Sequence, residues 1–167
     1  MAIKDVLLPE YDHEMATARK LLERVPMTDA QWKPHEKSMS LGQLATHLVE
    51  IPGWGGSIIG SSSVDLAANP EFEHPTFHTN EALLSAFDRN VSTTRDLIAS
   101  RSDAEMMETW TLKHGDKVLM SLPKAGVLRS FLMNHLIHHR GQLSVYIRLK
   151  NIPVPSIYGP SADEQSF

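Results

Sequence analysis

Four stretches of this chain repeat apolar residues at the spacing of an α-helix, and that pattern limits the fold more than any other feature of the sequence. Tyr11, Met15, Ala18 and Leu22 form the first stripe, in a segment that runs on to Val25-Pro26. Pro9 suits the first position of this helix, with Glu10, Asp12 and Glu14 favourable to the positive end of its dipole. Leu44, His47, Leu48, Ile51 and Trp54 share a face of a second helix, which Ser40-Leu-Gly-Gln43 opens as a capping box and which frays near Ser61. A third begins near Thr79 or Asn80 and carries Leu83, Leu84, Phe87, Val91 and Leu97-Ile98 to about Ser100. Ser121 is read as the cap of the last helix, with Pro123 in its first turn and Leu128, Phe131, Leu132, His135, His139, Gln142 and Tyr146 along it to about Lys150.

The connections are of several kinds. Residues 55–77 are rich in Gly, Ser, Asn and Pro and read as a long surface crossover. Ser102-Asp-Ala-Glu105 is a second capping box and predicts a further short helical turn. From Trp110 to Met120 the residues alternate across His114-Gly115-Asp116, which favours a small β-hairpin. The tail, from Pro153-Val-Pro155 to Tyr158-Gly-Pro160, cannot be helical and is expected to lie over the helices. The pattern predicts an all-α, four-helix bundle with a long crossover and a small hairpin before the last helix, one domain over residues 1–167.

Charge and cysteine content remove whole classes of function. With 20 acidic against 16 basic residues, a net charge of -4 and no basic cluster, the chain offers no footprint for a phosphate backbone, so no nucleic acid is expected as a partner. No apolar run approaches a membrane span, and Pro9 and Glu10 interrupt the start too soon for a signal-peptide core, so no membrane is expected and the protein is read as cytoplasmic. There is no cysteine, which leaves histidine and carboxylate as metal ligands and excludes a thiol nucleophile from the protein itself.

Histidine is where chemistry enters. His135 and His139 stand about 40° apart on one helical face and can chelate a single ion. Spacing alone decides little, since nine histidines in this length give roughly 0.5 such pairs by chance. His74-Pro-Thr-Phe-His78 has the same spacing in a Pro-bearing connection and is assigned no site. His135 and His139 differ in context, because Leu128, Phe131, Gln142 and Tyr146 continue their face and turn it inward. Buried imidazoles need partners, at a cost of roughly 1–3 kcal/mol each when they lack them. His47, on the apolar face of the second helix, adds a third ring. One ion held by the three is one solution, and core histidines satisfied by Gln142, Tyr146 or water are the other.

The segments Leu44-Ala-Thr-His47-Leu, Asn134-His135-Leu-Ile-His138-His139-Arg140-Gly141-Gln142-Leu and Val154-Pro-Ser-Ile-Tyr158-Gly-Pro-Ser-Ala-Asp163-Glu164 resemble the DinB/YfiT-like family of small metalloproteins. The resemblance spans the second helix to the C-terminus and is most specific in the last helix. It implies a four-helix bundle, commonly homodimeric, with one zinc- or nickel-class ion held by one histidine of the second helix and two of the fourth, here His47, His135 and His139. Characterised relatives include transferases that use small thiols such as bacillithiol, mycothiol or glutathione.

Residues near the three histidines carry two readings each. Gln142 and Tyr146 orient an imidazole or touch a substrate, or are satisfied polar core residues. Glu50 and Trp54 form a carboxylate behind His47 and a pocket wall, or a solvated charge and a core Trp. His138 lies off the ligand stripe, Arg140 points about 140° from His135 and is expected at the surface or a subunit contact, and Gly141 is expected at a close helix approach. Three imidazoles leave positions of an ion open, the pattern of catalytic sites. The expected function is a metal-dependent transferase joining a small thiol to an electrophile. A hydrolase that activates water, or a non-catalytic stress-response module, uses the same ligands.

Overall fold

The computed structural model describes residues 1–68 and 73–165, so residues 69–72 of the predicted crossover lie outside the described residues. Helix α1 spans Ile3–Leu22. It begins a full turn and more before Pro9, which sits inside it, so the expected start at Pro9 is wrong. The cause is local and tertiary capping together: Asp5 accepts the Ala2 N–H at 2.8 Å, and Asp103, from across the fold, accepts the Ile3 N–H at 2.9 Å.

Helix α2 spans Leu41–Gly60 and opens as its sequence predicts. The Ser40 hydroxyl accepts the Gln43 N–H at 3.2 Å, and the Gln43 side chain accepts the Ser40 N–H at 2.8 Å. Helix α3, Asn80–Ser100, is capped by Thr79, and the one-turn helix α4, Asp103–Met106, by the Ser102/Glu105 box. At Gly55, α2 and α3 come so close that a Cβ would lie 2.2 Å from Thr94 Cγ2, and the Thr94 hydroxyl donates to the Pro52 carbonyl at 2.6 Å.

The hairpin is present as strands β2, Thr109–His114, and β3, Lys117–Pro123, turning at Gly115 with φ +58°. A third strand, β1 at Ser63–Asp65, pairs in parallel with β2, so the crossover contributes a strand to a sheet of order β1-β2-β3. Trp110 anchors this sheet, its indole N–H donating to the Ser57 carbonyl of α2 at 3.3 Å. Ser121 is not a helix cap: it lies in β3 opposite Thr111, with which its hydroxyl bonds at 3.1 Å. The ladder holds the chain extended for two more residues, and Pro123 takes the cap position instead.

From there α5 (Lys124–Val127), a π-helical stretch (Leu128–Met133) and α6 (Asn134–Leu149) follow end to end. π-Helical turns recur at functional sites, and this one ends two residues before His135. Helix α2 packs against α3 and α6, and α1 against the same two helices. Their shared core includes Met15, Leu22, Leu44, Leu48, Phe87 and Leu143. Among the described residues no helix is long and apolar enough to cross a membrane.

The tail closes over α1 and α6 as expected. Asp163 pairs with Arg148 and accepts the Val154 N–H at 2.8 Å, while Glu164 pairs with Arg24 at 3.0 Å and accepts the Ser156 N–H at 3.0 Å.

Candidate metal centre

Helix α2 supplies His47 and α6 supplies His135 and His139, and the three rings meet where these helices pack. The Nε2 atom of His135 lies 2.9 Å from Nε2 of His47 and 2.9 Å from Nε2 of His139. On the far side of its ring, His139 Nδ1 donates to Gln142 Oε1 at 2.7 Å, which leaves His139 Nε2 as a lone pair. With neutral rings, His135 Nε2 can then donate to only one of its two neighbours, or accept from His47 and donate to neither. In every tautomer one of the two close contacts therefore lacks a hydrogen bond unless something else occupies the space between the rings.

Burial keeps the rings neutral. It pushes the His47 pKa down to about 4, with His139 and His135 adding to the effect and His74 contributing. Burial also lowers His135, helped by His139 and His138, and lowers His139, where the Gln142 bond opposes it. Neutral imidazole is the form that ligates a metal. These nitrogens all lie within 4.8 Å of one another and make a group that could hold a metal ion. Around a tetrahedral zinc, nitrogens stand about 3.3 Å apart, so the 2.9 Å contacts need open by only a few tenths of an ångström. The donor set fits a zinc- or nickel-class ion.

Trp54 walls the cluster, with ring centroids 5.7 Å from His47, 5.1 Å from His135 and 5.5 Å from Phe131, on which it stacks. Phe131 comes from the π-helical stretch and also lies 5.6 Å from His135. Glu50 is not a solvated charge: its side chain is 10% exposed, and a carboxylate oxygen lies 3.8 Å from His47 Nδ1. The same carboxylate binds His74 Nδ1 at 2.9 Å, so a residue given no site by its sequence context stands directly behind the cluster. His138 is exposed, and its ring lies edge-on to the His139 ring, at 4.8 Å. The Tyr146 hydroxyl donates to the Met39 carbonyl at 3.2 Å, and its ring packs edge-on against Trp32.

A cleft of about 600 Å³ reaches His47 between the Met27–Thr46 segment and the crossover residues His74, Phe77 and His78. His78 thus lines the approach without belonging to the ligand cluster.

Two expectations on α6 fail. Arg140 is neither at the surface nor available to a subunit contact: it is 1% exposed and pairs with buried Glu14 of α1 at 2.7 Å. The Tyr158 hydroxyl donates to both Glu14 oxygens, at 2.8 and 2.7 Å, and its ring lies 4.8 Å from the guanidinium carbon. One guanidinium nitrogen, Nη2, makes no hydrogen bond among the described residues, and the ring face gives the cation a further favourable contact. The partners are 126 residues apart, which no local pattern in the sequence signals. Gly141, in turn, has nothing within 4 Å of where a Cβ would stand, so it marks no close approach.

The sequence pattern of the DinB family matches residues 4–166. A relative described as an uncharacterized protein, YrdA, of Bacillus subtilis (strain 168) is 26% identical over 165 residues, covering 96% of this chain and 90% of its own length. The crystal structure of a DinB-like protein from Bacillus cereus ATCC 10987 is similar with a TM-score of 0.74 at 19% identity, over 91% of this chain and 95% of that one. Another DinB-like protein, YjoA from Bacillus subtilis, is similar with a TM-score of 0.69 at 18% identity, over 96% of this chain and 99% of that one.

Proposed function

Because the chain belongs to the DinB family, we propose that it is a metal-dependent transferase that joins a low-molecular-weight thiol to an electrophilic small molecule, with His47, His135 and His139 as ligands of one zinc- or nickel-class ion. The observation that carries this reading is the meeting of three neutral Nε2 atoms from two helices at the end of a cleft. Bound there, the ion would supply Lewis acidity, lowering the pKa of a thiol or water that reaches its open position.

The chain's own residues do the positioning. Gln142 fixes the His139 ring by its Nδ1 bond, and Trp54 and Phe131 keep water from one side of the cluster. The cysteine-free chain takes its sulfur from the cosubstrate. In the transfer, a sulfur–carbon bond forms, the thiol proton passes to solvent and the leaving group departs with its electron pair. The test is consumption of 1-chloro-2,4-dinitrobenzene by the metal-loaded protein with and without a small thiol. Thiol-dependent turnover that disappears in His135→Ala is the expected result. Metal-dependent ester hydrolysis in its place would favour the hydrolase, and neither activity would favour a non-catalytic metal-binding module.

The reading includes a four-helix bundle as a single domain, supported by the packing of α1 and α2 each against α3 and α6. It also includes a cytoplasmic homodimer. Since Arg140 is committed to Glu14, support for the dimer comes from Val145 and Leu149, 56% and 55% exposed, which extend one face of α6 from Gly141. Light scattering on the wild type and on Val145→Glu tests it.

A further inference from the structure

We propose that the cleft leading to His47 binds an uncharged small molecule that has both an apolar part and hydrogen-bonding groups. Delivery of that molecule to the three histidines rests on the function proposed above; its chemical class rests on the cleft walls alone.

At about 600 Å³ the cleft has the size of a small-molecule site. One part of its lining is apolar, from Met27, Met39 and Phe77, and another is polar but neutral, from Thr28, Gln31 and Gln43. Among the described residues that line it there is no Asp, Glu, Lys or Arg. Away from its imidazoles, His47, His74 and His78, a carboxylate in this cleft gives up hydration and meets no positive side chain among the described lining residues in return, which is the costly way to bury an ion. Behind the wall the Glu50 carboxylate sits against His74 and His47, a charge of the wrong sign for an anion.

The wall formed by the Met27–Thr46 segment is held in place before any ligand arrives. Tyr146 grips the Met39 carbonyl, and at Gly42 the start of α2 lies so near Ala30 that a Cβ would stand 2.9 Å from the Ala30 Cβ. A cleft with one fixed wall, apolar on one part and polar on another, selects by shape and hydrogen bonding, with a reduced cost of ordering on binding. Among small thiols it therefore favours those without carboxylates over polyanionic ones such as glutathione.

The experiment uses a matched pair of probes, 3-phenylpropanamide and 3-phenylpropanoate, titrated at neutral pH into the ¹⁵N-labelled full chain, as isolated and again in EDTA. The amide is expected to move the backbone resonances of Thr28, Gln43 and Thr46 and, in EDTA, to bind at least about fivefold tighter than the carboxylate, a ratio that a bound ion would narrow by offering the carboxylate an open position. Gln31→Lys, a substitution at an exposed wall position, should cut that ratio by about threefold, within the 0–1 kcal/mol range of an exposed charge pair. Equal or tighter binding of the carboxylate in EDTA, failure of both probes to move cleft resonances, a preference present only before EDTA, or an unchanged ratio in Gln31→Lys would each overturn the assignment. The EDTA arm separates the two readings: a protein that holds no metal still shows the preference for the amide if the cleft is as described.

Discussion

His139 and Arg140 are consecutive on α6, yet one side chain joins a cluster of neutral rings at the end of a cleft and the other an ion pair sealed from solvent. Both clusters place polar groups among packed helices, and both reach across to another helix, His139 to α2 and Arg140 to α1. In the ion pair, charge is matched by charge, and Tyr158 adds two hydrogen bonds to the carboxylate. In the histidine cluster the ring protons cannot satisfy both close contacts. A buried polar group with its partners present ties a fold together; ring nitrogens aimed at a common point beside a cleft, one contact of which goes unsatisfied, lack a partner that has to come from outside.

The largest effect expected from this difference is on stability at the ion pair. Arg140→Ala leaves Glu14 charged and buried, and should cost about 3–5 kcal/mol in chemical denaturation. Replacing both partners together, as Glu14→Leu with Arg140→Met, should recover most of that loss, because apolar packing substitutes for a buried pair at little net cost. A single variant as stable as the wild type would mean that the pair contributes nothing.

At the histidine cluster the effect should fall on affinity. His139→Ala is expected to weaken metal binding by more than the roughly 10–100-fold that changes to residues behind a ligand produce, measured by competition with a chromogenic chelator. His78→Ala, which has the same four-residue spacing from His74 that His139 has from His135, should leave affinity unchanged. Equal affinities in the two variants would break the comparison.

The smallest effect is a pH response confined to the metal-free protein. The folded-state pKa of His47 lies at about 4, below the ordinary 6.5, so as pH falls through 6.5 the unfolded chain takes up the proton first. Stability is therefore fully present above about 6.5 and is lost progressively down to about 4. Thermal unfolding between these pH values should show this decline, and His47→Phe should make it shallower.

Much of this was legible in the sequence because the signals are local. The Ser40/Gln43 and Ser102/Glu105 boxes, Thr79 and the Gly115 turn each act through neighbours within a few residues. The inward face of His135 and His139 was readable from helical periodicity, and the part played by Gln142 from its position one turn on. What was not legible depends on distant partners. Asp103 caps α1 from a hundred residues away, β1 is a three-residue strand that exists through its pairing with β2, and Ser121 is held in β3 by Thr111. Glu14, Arg140 and Tyr158 assemble only in the folded chain, and the Glu50–His74 bond brings a loop histidine behind the cluster. The π-helical stretch before His135 has no sequence marker of its own.

The central claim is that His47, His135 and His139 share one ion, and the most direct test is metal content per chain in wild type and His47→Ala, after incubation with excess Zn²⁺ or Ni²⁺ and removal of unbound metal. The account predicts about one ion per wild-type chain and a large loss in His47→Ala, because the site spans α2 and α6. A folded wild-type protein that retains no metal would leave the three rings as core histidines, and full retention in His47→Ala would place any ion on α6 alone; either result contradicts the account.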